Sequence, residues 1–71
     1  MIPAYTIKTD STTASGITYI GFCNSVDADD DEAMWAITRV TNDGDDVIVE
    51  HADGNGDPDN VWSDRASLNY K

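Results

Sequence analysis

Apolar residues in this chain arrive in short runs, rich in β-branched and aromatic side chains and separated by Gly, Asp, Asn and Ser. That punctuation is the signature of strands joined by turns. Tyr5-Thr6-Ile7 is the first run, with Tyr5 and Ile7 on one face, and the small polar stretch Asp10–Gly16 after it reads as a loop. Ile17–Cys23 is the clearest strand. It is apolar on both faces, which suits a central strand or one sandwiched between two layers. After the acidic run Asp27–Glu32, the helical spacing of Ala33, Ile37 and Val40 competes with the β-branched Ile37, Thr38, Val40 and Thr41. A turn signal follows at once, so strand is the stronger reading and a short helix over 31–40 the weaker one. Asp43-Gly44 suits a two-residue type I′ turn. That turn would pair Val40 with Val47 and place Arg39 opposite Ile48, diagonal to Glu50. Beyond the polar loop 52–60 come Val61-Trp62 and then Ala66, Leu68 and Tyr70, whose alternation predicts a final strand facing the core. The expected architecture is all-β: one domain over residues 1–71, a small five-stranded barrel or sandwich with a central hairpin.

Seventy-one residues bury only about 60% of the surface that the unfolded chain exposes. Small scaffolds are usually reinforced by disulfides, a metal or partner subunits. The single cysteine, Cys23, excludes an internal disulfide. Fourteen Asp and Glu face four Lys and Arg, a formal net charge of −10. Like charge on that scale opposes the compact state. It also disfavours nucleic-acid binding, which needs clustered cations, whereas Lys8, Arg39, Arg65 and Lys71 are scattered. No apolar run approaches the roughly 18 residues of a membrane-spanning helix. The segment Met1–Tyr5 lacks the charged and apolar regions of a signal peptide, so synthesis in a cytoplasm without export through a secretory pathway is expected.

Candidate sites are few. Asp53, Asn55, Asp57 and Asp59 present oxygens at alternate positions, and Asp64 stands eleven residues after Asp53. This partly imitates a calcium-binding loop, although Pro58 replaces the sharp-turn glycine. The competing and stronger reading is a solvated loop whose Asp and Asn serve its turns. The run Asp27–Glu32 could dock on a basic patch, but a hydrated loop is the simpler account. His51 and Cys23 lack any nucleophile motif around them, so no enzyme activity and no cofactor are expected. Trp35 and Trp62 are core material first and interface anchors or sugar platforms second; with Arg39 and Arg65 they form the candidate interface set.

Three blocks carry a resemblance: Thr18-Tyr19-Ile20-Gly21, then Trp35 to Arg39, then Asp59-Asn60-Val61-Trp62-Ser63-Asp64-Arg65-Ala66-Ser67-Leu68. In this order they resemble small virion-associated proteins of tailed, mainly marine, bacteriophages. The resemblance implies a setting and no mechanism: a multi-copy virion component, such as a capsid-decoration or head–tail accessory protein. Its partners would be other virion proteins and itself. Trp62 would then fill the core while Asp64 and Arg65 pin a turn. The alternative is a fibre-associated β-sandwich that binds host glycan, with calcium at the Asp53–Asp59 loop. A third is an acidic inhibitor or DNA mimic, although the acids cluster in loops and form no regular stripes.

Overall fold

The computed structural model describes residues 5–71. Five strands, Thr6–Asp10 (β1), Ile17–Cys23 (β2), Ala33–Asn42 (β3), Val47–His51 (β4) and Asn60–Val61 (β5), are followed by a 3-10 helix at Trp62–Ser67. β1 to β4 form an antiparallel meander in chain order, and β5 pairs with the beginning of β3, in line with β4. The chain is thus mostly β, as its residues predict. The sheet stays open, which removes the barrel from the two expected architectures. The ambiguous segment is strand from Ala33 onward. β-branched side chains favour that conformation, and β3 finds ladder partners on both sides.

Two local expectations are corrected. The hairpin reverses over Gly44-Asp45, one residue later than predicted, with Asp43 N–H donating to the Asp46 carbonyl at 2.8 Å. Asn42 sets this turn by accepting the Gly44 N–H on its side-chain oxygen at 3.0 Å, and Gly44 takes φ +85°. Val40 therefore pairs with Val49, and Arg39 lies directly opposite Glu50. The register moves by two residues, so every side chain keeps its expected face.

The predicted final strand is instead the 3-10 helix, from which only Tyr70 emerges to bridge Ala52. Ser-Asp-Arg-Ala-Ser supplies polar side chains that satisfy nearby backbone and compete with a ladder. Arg65 donates to the Trp62 carbonyl at 3.1 Å, Ser67 to that of Asp64 at 3.0 Å, and Tyr70 to that of Arg65 at 2.7 Å.

One face of the sheet carries the core. Tyr19 and Cys23 of β2 and Trp35 and Ile37 of β3 point inward, and Ala52, Trp62 and Tyr70 close over them. Trp35 and Trp62 pack at 5.8 Å between ring centroids, Tyr19 and Tyr70 at 5.9 Å. Gly21 makes the double tryptophan arrangement fit: a Cβ there would stand 2.5 Å from the Trp62 ring and 3.1 Å from Trp35.

Candidate interaction surface

The rim of this core holds three of the four basic residues. Lys8 pairs with Asp30 and lies over the Trp35 ring; Arg39 pairs with Glu50 at 2.7 Å and stacks on Tyr70 at 4.7 Å. Arg65 pairs with Asp10 at 3.0 Å and stacks on Trp62, also at 4.7 Å. Each of these cations lies between a carboxylate and an aromatic face, an arrangement that seals the edge of a small core. Asp10 also accepts from the hydroxyl of Thr13 and from the backbone and hydroxyl of Thr12. Those bonds, with Arg65, hold its carboxyl well below the usual range. Burial, with the Tyr19 phenol close by, pushes the Tyr70 hydroxyl up to about 12.

The proposed interface residues are therefore engaged within the chain. Trp35 is fully buried and Trp62 5% exposed, so neither offers a ring to a sugar or a partner. Arg39 and Arg65 are held on Tyr70 and Trp62. The candidate calcium ligands are dispersed. Asp53 opens a turn at φ +60°, and Asn55 spends its side-chain oxygen on the Asp57 N–H at 2.9 Å. Asp57 and Asp59 are exposed in the loop that follows, and Asp64 sits in the 3-10 helix. Among the described residues, no three His, Cys, Asp or Glu gather as a metal site. Cys23 is buried on the inner face, whereas His51 lies on the outer one beside Thr38, with 3.1 Å between Nδ1 and the hydroxyl. The sheet separates them.

What sequence reasoning missed is the other side of the sheet. The register aligns Ile7 with Phe22 and Phe22 with Ala36. It likewise aligns Thr9, Ile20, Thr38 and His51, then Thr18, Val40 and Val49, and finally Asn42 with Val47. Tyr5 extends the first row and packs on Phe22 at 5.5 Å. Among the described residues, no Asp, Glu, Lys or Arg occupies an outward position of β1 to β4. Nothing described covers this face: Tyr5 is 50% exposed, Ile7 55%, Val47 64% and Val49 56%. The signal was in β2, whose apolar residues on both faces ask for two layers. The described residues supply one. Exposed apolar residues gathered on one face make it a candidate contact surface.

Compared with known proteins, the chain matches no family model, no curated protein and no solved structure.

Proposed function

We propose that this chain is a structural subunit that acts by assembly, its outer sheet face being covered in a larger particle. The observation that carries this reading is the uncharged apolar face on a chain of net charge −10. Here the charged groups are gathered at the loops and the inner rim, and the outer strand positions combine exposed apolar side chains with the uncharged Thr9, Thr18, Thr38 and Asn42 and with His51. The particle in question is, by the resemblance of its sequence blocks, the virion of a tailed bacteriophage. There the protein would serve as a multi-copy capsid-decoration or head–tail accessory component. The glycan-binding alternative loses its support, because it relied on tryptophans that lie inside the core.

The test is mass spectrometry of purified virions with copy number, for the native chain and for Val49→Lys, which charges the outer face. The native chain is expected in many copies and the variant in few. Absence of the native chain from virions, or undiminished incorporation of the variant, would overturn the reading.

A further inference from the structure

Resting on the reading that the outer face is covered, we propose that its occupant is a second copy of this chain. The two sheets would stack face to face to complete a β-sandwich. Charge gives the first argument. The outward strand positions carry no Asp, Glu, Lys or Arg, so apposing two copies there puts no charge within the contact itself. A partner chosen by charge complementarity would be met at the acidic loops instead, so the uncharged face calls for an equally uncharged one.

Shape gives the second argument. At one end of the face Tyr5 and Phe22 form an aromatic ridge, flanked by Ile7 and Met34. At the other end is a hollow of about 360 Å³, lined by Ser11, Gly16, Thr18, Val40, Asn42 and Val47. Phe22 and Thr18 stand four residues apart on the same side of β2, about 13 Å at a strand's usual rise. A two-fold axis lying between the sheets and running across the strands reverses one copy end for end. It sets Phe22 of each copy above Thr18 and Val40 of the other, ridge into hollow, twice. Such self-complementarity is what an isologous contact requires.

Area is the third. Four strands spaced by about 4.8 Å, over six residues at about 3.3 Å, make a plane of roughly 380 Å² before side-chain relief. Two such planes make roughly 760 Å², which side-chain relief raises toward the ~1,000 Å² that a specific interface should clear.

The stack carries an electrostatic signature. The acidic loops 27–32 and 43–46 lie at opposite ends of the sheet, so the reversed copy brings one near the other at the rim. Salt screens that repulsion, and the pair should tighten as ionic strength rises.

Sedimentation equilibrium of the whole chain tests the proposal. The expected result is a dimer of the 7.7 kDa chain at micromolar concentration, bound several-fold tighter at high salt. Ile7→Lys, at a half-exposed position whose fold circular dichroism can verify, should weaken the dimer at least about thirtyfold. Mixing Thr18→Cys with Phe22→Cys should give a disulfide-linked heterodimer that neither variant forms alone. A chain that stays monomeric to millimolar concentration would overturn the proposal. So would a dimer indifferent to Ile7→Lys, which would point to pairing along the edge of β4, or one that salt dissociates. A monomeric chain that still enters virions through this face would refute the second copy and leave the proposed function standing. A dimer absent from virions would refute only the function.

Discussion

The two faces of one four-stranded meander differ in how completely the chain satisfies them. On the inner face Trp35 is fully buried, and Lys8, Arg39 and Arg65 are each held between a carboxylate and an aromatic ring. On the outer face Ile7, Val47 and Val49 are more than half exposed, and no strand position carries a charge. Both faces are apolar enough to be cores. The difference teaches that apolarity alone does not decide which side of a sheet a small chain covers. The 3-10 helix and Tyr70 reach only one side, and the charges that line that side's rim are absent from the other.

The sharpest way to break the comparison is to empty the inner face. Trp35→Ala should cost about 3–5 kcal/mol. A domain of this length has a total stability of only about 4–10 kcal/mol. Urea denaturation followed by circular dichroism should therefore find the variant unfolded or close to it. Gly21→Ala is the complementary test, adding one carbon where none fits. The tryptophan pair would have to part, at about 1–3 kcal/mol, visible as a lower urea midpoint and altered tryptophan fluorescence.

Much of this asymmetry was legible before the fold was known. The β-branched runs gave the strands, and the hairpin pairing set which residues of β3 and β4 share a face. A two-residue error in the hairpin register left both intact, because faces alternate with period two. What could not be read were features set by tertiary company. Ala66, Leu68 and Tyr70 alternate like a strand, yet Trp62 enters the core and the hydrogen bonds of Arg65, Ser67 and Tyr70 wind the segment into a helix. Arg39 and Arg65 entered the candidate interface set because the rings beneath them, Tyr70 and Trp62, come from distant or unpredicted geometry. The apolar outer side of β2 was visible, but whether the chain itself would cover it was not.

The inner face should also respond to pH at both extremes, and the outer face should not. Tyr70 is neutral in the folded chain, its hydroxyl pushed up to about 12 against an ordinary value near 10. Its contribution is complete below about pH 10 and is lost as pH rises from there through about 12. Tyr70→Phe should flatten that alkaline loss, at a cost of about 1 kcal/mol for the Arg65 carbonyl left without its donor. Asp10 has the opposite sign. Its carboxylate is held well below the usual range, so its contribution is present above about pH 4 and is lost as pH falls further. Asp10→Asn should show a shallower decline in acid, measured as urea midpoint against pH.

The smallest expected effect tests the outer face in the single chain. Val49 is 56% exposed and its neighbour Val40 only partly covered, so replacing one methyl of Val49 by a hydroxyl exposes no new apolar surface and buries no polar group. Val49→Thr should shift stability by less than about 0.5 kcal/mol when measured at nanomolar concentration, where self-association is negligible. At high micromolar concentration the same variant should fall measurably below the native chain, because a covered Val49 would then lose its contact and bury a hydroxyl. A large loss already at nanomolar concentration would mean that the chain covers this face itself, and the contrast between the two sides would disappear.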